Sequence, residues 1–204
     1  NEDAVANILR STPAGSILVA KKDVQLFGLW YEMKVLGHRP DVALVAQGLS
    51  HSPWYQASER RAGVLLALGP LKSAEGWRRF LGAHTGRSVY ASNDAEFSYA
   101  DRVGQARGLV VEMSTVTRPS SLPWNFLVRR GDFREEARSD FFSGDLVGMH
   151  AMARQHLATG LLNDARGGEA DSSLKDALWL KRRSPEAASH WAFLAFTSGD
   201  MDNA

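Results

Sequence analysis

The sequence predicts an α/β fold, a small parallel sheet of about four strands with flanking helices over residues 1–117, followed by an all-α, repeat-like tail over residues 118–204. Three observations predict it. Short apolar runs rich in β-branched residues alternate with amphipathic stretches, as strands buried on both faces of a parallel sheet do. Capping residues and glycines separate these stretches. After the proline- and serine-rich segment Thr117-Arg-Pro-Ser-Ser-Leu-Pro123, strand signals cease.

Ser16-Ile-Leu-Val-Ala20 and Asp41-Val-Ala-Leu-Val-Ala46 read as core strands. Between them Asp23 is placed to cap a helix carrying Leu26, Leu29, Trp30, Met33 and Leu36 on one face, and Gly37 supplies its left-handed stop, which completes a βαβ unit. Ser52-Pro53 offers an N-cap followed by proline at the first helical position, and Ser73 is set to cap a further helix through Trp77, Phe80 and Leu81. Ser88-Val-Tyr-Ala91 reads as a third strand. Asp94 is expected to cap a helix holding Phe97, Tyr99 and Val103, and Leu109-Val-Val-Glu-Met113 is expected to be a fourth strand. Alternating strands and helices imply right-handed crossovers and a Rossmann-like sheet.

The tail carries helical spacing at Trp124, Leu127 and Val128, then from Leu146 to His156, from Leu174 to Leu180, and from Trp191 to Ala195. Ser184-Pro185, Trp191, Ala192, Ala195, Gly199-Asp200 and Ala204 resemble the first helix and turn of a tetratricopeptide repeat. The stretch from Met149 to Arg183 has the same helix, turn, helix order through Gly167-Gly168, although a generic helical hairpin accounts for it as well. Both ends of the chain read as cut from something longer.

Composition removes several function classes. With 24 basic and 23 acidic residues the net charge is +1, so bulk electrostatics imply neither nucleic acid nor an anionic surface as partner. Four Arg-Arg pairs lie scattered along the chain, at 60–61, 78–79, 129–130 and 182–183, which suits solvated helix faces. There is no cysteine, hence no disulfide and no thiolate metal site. The most apolar run, Gly63 to Leu71, is far below the roughly 20 residues a membrane span needs, so no membrane insertion by this segment is expected.

Motifs for catalysis are incomplete. After the first strand the turn reads Lys21-Lys22-Asp23-Val24, with no glycine-rich phosphate fingerprint and an acidic residue where a pyrophosphate would sit. Gly48-Leu-Ser50-His51-Ser52 has the outline of a nucleophile elbow, but Ser52 replaces its second glycine, and a plain helix cap explains the segment. His150 and His156 are six apart, without metal-ligand spacing, and Asp200-Met-Asp202 sits where a repeat turn favours aspartate. No catalytic residue, metal or cofactor is therefore assigned.

One stretch says more than its periodicity. Ile17-Leu-Val-Ala-Lys-Lys-Asp23, Phe27-Gly-Leu-Trp30-Tyr31, Gly37-His-Arg39-Pro40-Asp41-Val42 and Ser52-Pro53-Trp54-Tyr55 resemble the soluble region of a family of polytopic membrane proteins, the protein O-mannosyltransferase-like, lipid-donor glycosyltransferases. Arg87-Ser-Val-Tyr90 and Gly108-Leu-Val-Val continue the likeness. It covers most of residues 14–113, and tetratricopeptide-like tails commonly follow in such proteins. One departure is that the family often carries a D-N-D-type run where Asp23 is here followed by Val24 and Gln25.

The resemblance implies a catalytic centre in a membrane part outside this segment, and for this segment an extracytoplasmic, non-catalytic accessory role in acceptor or partner binding. The implied partners are the membrane-spanning part of the same polypeptide and a protein or peptide on the helical tail. Candidate contact residues are Asp23, Trp30, Tyr31, Arg39, Asp41, Trp54 and Tyr55. The four aromatics suit a sugar platform, while aromatics on helices flanking a sheet are also ordinary core. Arg39 and Asp41 have a structural account as a charge pair around Pro40, which stiffens the lead-in to a strand. Two alternatives stand beside this: a free-standing tetratricopeptide-like interaction module, and a small-molecule enzyme using Lys22, Asp23, Ser50 and His51 at the strand ends.

Overall fold

The computed structural model describes residues 2–98, 100, 105–113, 127, 128, 130, 141–182 and 184–198. It begins with a helix absent from the expected elements, α1 (Glu2–Ser11), whose Ala4, Val5, Ile8 and Leu9 form one buried face. Next come β1 (Ile17–Ala20), α2 (Asp23–Trp30) continued by a π-helical stretch (Tyr31–Val35), β2 (Ala43–Ala46), α3 (Pro53–Arg61), α4 (Ala74–Ala83) and β3 (Val89–Ser92). A short hairpin, β4 (Ala106–Arg107) and β5 (Val110–Glu112), precedes α5 (Phe141–Asn163), α6 (Gly167–Leu180) and α7 (Pro185–Ser198).

These elements make a mixed five-stranded sheet in the order β2-β1-β3-β5-β4, with a helical C-terminal part. β1 pairs in parallel with β2 and with β3, as expected. β5 corrects the expectation of a fourth parallel strand: it runs antiparallel to β3 and to its hairpin mate β4. The hairpin turns at Gly108, whose φ of +55° suits glycine. A three-residue apolar strand carries no mark of its direction, so only the turn before it decides the pairing.

Side chains alternate between two cores. Leu18, Ala20, Leu44, Ala46 and Tyr90 pack against α1, α2 and α5, while Ile17, Val19, Val45, Val89 and Ala91 pack against Trp77, Phe80 and Leu81 of α4. α5 contributes Leu146, Met149 and Ala153 to the first core, so the helical part is packed on the sheet. Further along, Leu157, Ala158 and Leu161 of α5 join Ala106, Ala170 and Leu174, with Trp191 and Leu194 of α7 packed against them.

Several local expectations need correction. Residues 93–98 form turns rather than a helix from Asp94, because the buried Gln47 side chain holds Glu96 in place: its Oε1 accepts from the Glu96 amide at 2.8 Å and its Nε2 donates to the Glu96 carbonyl at 2.7 Å. Leu127 and Val128 are irregular backbone, not helix; Asn7 of α1 engages Val128 through both its amide (2.7 Å) and its carbonyl (2.7 Å). The turn between α5 and α6 is made by Asp164 to Arg166, with Ala165 at φ +57°, and Gly167 already belongs to α6. Tyr99, Val103, the 117–123 connection, Trp124, Arg183 and everything from Gly199 onward, including Asp200 and Asp202, lie outside the described residues.

Candidate functional site

The carboxyl ends of β1, β2 and β3 are where a parallel α/β sheet presents ligands, because the crossovers leave a crevice there and a helix begins beside it. In this chain the crevice holds the protein's own carboxylate. Asp94 Oδ2 accepts from the backbone amides of Lys21 (3.1 Å) and Lys22 (2.6 Å) at the start of α2, and Asp94 Oδ1 accepts from the Ser92 hydroxyl. Lys22, not Asp23, is the N-cap residue of α2, and it makes no side-chain cap bond. Asp94, 72 residues away in sequence, instead takes the amide of the N-cap residue itself and that of the residue before it.

The neighbouring groups are also engaged. Lys22 Nζ pairs with Asp145 of α5 at 2.7 Å, and Lys21 Nζ pairs with Glu96. Ser50 is buried and its hydroxyl donates to the Gln47 carbonyl at 2.8 Å, whereas His51 is exposed. The serine is thus part of a turn rather than an exposed nucleophile. Ser52 sits at the N-cap position of α3, with Pro53 at its first turn, but its side chain makes no cap bond. Ser73 does cap α4, accepting from the Gly76 amide at 3.1 Å.

Arg39 and Asp41 face the end of α1. The guanidinium binds Asp41 through Nε and Nη2, both at 2.9 Å, and donates to the carbonyls of Leu9, Thr12 (3.0 Å) and Pro13 (3.3 Å). Helix carbonyls left without amides are thereby satisfied. Asp41 also accepts from the Gly15 amide at 3.1 Å, and the Arg39 guanidinium holds its carboxyl well below the usual carboxylate range. Arg39 adopts φ +53°, immediately after the Gly37 turn at +71°. Reaching three carbonyls and a carboxylate at once over-determines that strained backbone.

The aromatic candidates converge elsewhere, in an open cleft of about 480 Å³ between the α2 and π-helical stretch on one side and α3 on the other. Trp30, Tyr31, Trp54 and Tyr55 all line it, joined by Phe27, Lys34, Val35, Ser58 and Glu59. Tyr55 is core: its hydroxyl oxygen accepts from the Ala46 amide at the end of β2 at 2.9 Å, and burial pushes its pKa up to about 12. That anchor fixes α3 so that the adjacent Trp54 points outward, 62% exposed. Tyr31 and Phe27 are also exposed, at 55% and 60%. The expectation of an ordinary core therefore holds for Tyr55 and fails for Trp54 and Tyr31.

The π-helical stretch shapes this cleft. The Leu36 amide reaches back five residues to the Tyr31 carbonyl at 3.0 Å, and the His38 amide reaches the Glu32 carbonyl at 2.9 Å, with His38 Nδ1 and Glu32 Oε2 2.6 Å apart across the same turn. Such wide turns are rare and shift every later side chain around the axis. Lys34 on this turn meets Glu59 on α3, its Nζ lying 3.1 Å from Oε2 and 3.3 Å from Oε1. The Glu59 side chain is 8% exposed and the Lys34 side chain 41%, so the pair forms a polar floor beneath an aromatic rim.

Asp23 is exposed at the start of α2, outside this cleft. Sequence reading did not pick out Phe27, Lys34, Val35, Ser58 or Glu59. The four-residue spacing of Phe27, Tyr31 and Val35 was the available signal, since it repeats large apolar groups along one helix face. Among the described residues no three His, Asp or Glu side chains gather as a metal site, and no helix is long and apolar enough to cross a membrane.

Searches against protein-family models, curated proteins and solved structures find no match. The site's own chemistry must carry any functional reading.

Proposed function

We propose that this chain is a non-catalytic, accessory extracytoplasmic domain of a membrane-embedded, lipid-donor glycosyltransferase, in which a Rossmann-like sheet bears a tetratricopeptide-like tail. It acts by holding an acceptor or partner in the aromatic cleft. The single observation that carries the reading is the convergence of Trp30, Tyr31 and Trp54 on one open, solvent-facing cleft anchored by the buried Tyr55. Aromatic faces left in water are unusual in such density and mark binding surfaces. The filled crevice points the same way: with Asp94 seated on the amides of Lys21 and Lys22, the place where an α/β enzyme would hold a phosphate is taken by the protein itself. The proposed partners are the membrane-spanning part of the same polypeptide and a protein or peptide on α5 to α7.

The test uses the full-length parent. Trp54→Ala, which removes an exposed ring, is expected to raise KM for the acceptor with kcat nearly unchanged, the signature of lost ground-state binding. Unaltered kinetics, or a reading frame with no block of apolar spans preceding Asn1, would refute the proposal.

A further inference from the structure

We infer that the cleft takes an uncharged glycan, a chain of neutral pyranoses whose ring faces stack on Trp54 and Tyr31 while adjacent hydroxyls bridge Lys34 and Glu59; this rests on the binding reading above. The aromatic rim alone would suit many apolar groups. The polar floor narrows the choice.

Glu59 lies almost wholly beneath the surface, and Lys34 reaches it with two of its three N–H donors, one toward each carboxylate oxygen. One ammonium proton and the remaining carboxylate lone pairs are left for a ligand, a donor and an acceptor side by side. A pyranose carries the complement, neighbouring hydroxyls that each donate and accept. One hydroxyl accepts from Lys34 Nζ while the next donates to Glu59, and charge-assisted bonds of this kind are the stronger ones. Ser58 adds a further hydroxyl on the same wall.

Charge decides against acidic sugars. The floor is a compensated pair, so it presents no spare cation, and a uronate carboxylate placed there would face the Glu59 carboxylate in a partly desolvated position. Shape decides for a chain over a single enclosed sugar. The cleft is open, and Phe27, Tyr31 and Val35 continue the apolar face along the helix at four-residue steps. The C–H faces of successive residues cover such a stripe, and rigid rings lose little side-chain entropy on binding. A lipid surface would gain from the rings but has no use for a neutralised Lys-Glu pair, because anionic headgroups favour uncompensated cations.

The 204-residue chain is titrated with cellopentaose and mannopentaose, and with an oligogalacturonate of the same length, while indole fluorescence and amide and indole NMR shifts are followed. At least one neutral oligosaccharide is expected to bind, with the Trp54 indole shifting, more tightly than the uronate by roughly tenfold or more. Trp54→Ala lowers that affinity roughly tenfold. Glu59→Gln keeps the shape but frees the Lys34 charge, so the preference moves toward the uronate; a purely structural Glu59 would leave selectivity unchanged. If Glu59→Gln fails to fold, the parent's own neutral-to-uronate ratio decides.

Tighter binding of the uronate by the parent overturns the inference and leaves the binding reading standing. Absence of binding by every oligosaccharide at about 10 mM overturns the inference, while the Trp54→Ala kinetics of the full-length parent decide the binding reading by themselves. Retention on phosphatidylglycerol vesicles that Trp54→Ala abolishes would assign the cleft to a lipid surface and overturn the glycan occupant.

Discussion

Replacing Asp94 by alanine tests the view that the strand-end crevice is filled from within. The carboxylate accepts three bonds, from the amides of Lys21 and Lys22 and from the Ser92 hydroxyl. The first two come from the N-cap residue of α2 and the residue before it. Hydrogen bonds to a charged group contribute about 1.5–3 kcal/mol. Ser92 keeps a second acceptor, the Val19 carbonyl at 3.2 Å, so its hydroxyl is not orphaned. The expected loss is therefore about 2 kcal/mol, seen as a melting temperature lower by about 4–8 °C for a chain of this size. Urea and thermal unfolding measure it. The cavity should then behave as an anion site, since two free amides remain beside the helix start. Sulfate at ten times its dissociation constant should return about 1.4 kcal/mol to the variant and nothing to the parent. An Asp94→Ala chain that melts like the parent, or one that sulfate leaves unmoved, would refute the reasoning.

Arg39→Ala should lower the melting temperature and the protection of α1 amides in hydrogen exchange, because the carbonyls of Leu9, Thr12 and Pro13 lose their donor together, yet leave the fluorescence response of the aromatic cleft intact. Gly108→Ala should destabilise on the order of 3 kcal/mol in chemical denaturation, since its φ is positive and a Cβ there would run into Ser11 Oγ, whose bond to the Leu109 amide holds the hairpin against α1. His156, its Nδ1 on Asn93 Oδ1 and its ring beside Phe97, has a pKa lowered to about 4, chiefly by burial and also by His190. The unfolded imidazole titrates near 6.5, so its contribution is fully present above that pH and is lost as pH falls toward 4; a His156→Gln variant should show a flatter stability profile across that window in pH-dependent melts.

Legibility from sequence followed locality. β1, β2 and β3 were plain because each is a short run buried on both faces, and Gly37 and Ser73 marked real helix boundaries. α1 went unread although Ala4, Val5, Ile8 and Leu9 are spaced for a helix, Glu2 and Asp3 open it, Arg10 closes it, and Pro13 and Gly15 follow; the signal was in the sequence. Asp94 looked like a local cap and proved to hold the distant Lys21-Lys22 turn; a side chain that bonds 72 residues away leaves no local trace. The aromatic residue types of the cleft were visible, but the outward aim of Trp54 depends on the Tyr55 anchor at Ala46, and the meeting of Lys34 with Glu59 depends on a π-helical turn that no spacing rule foretells.

The first helix has a consequence for the order in which the chain can fold. Its Asn7 side chain needs Val128 and His150, its Asp3 needs Arg130, and its Ser11 needs Arg107 and Leu109. A ten-residue helix is too short to persist alone in water, and every one of these partners lies about a hundred residues or more downstream. The apolar face of α1 has early partners in α2 and the sheet, but these long-range bonds close only once the hairpin and α5 are in place. Refolding should accordingly end with the closing of these long-range bonds around residues 2–11.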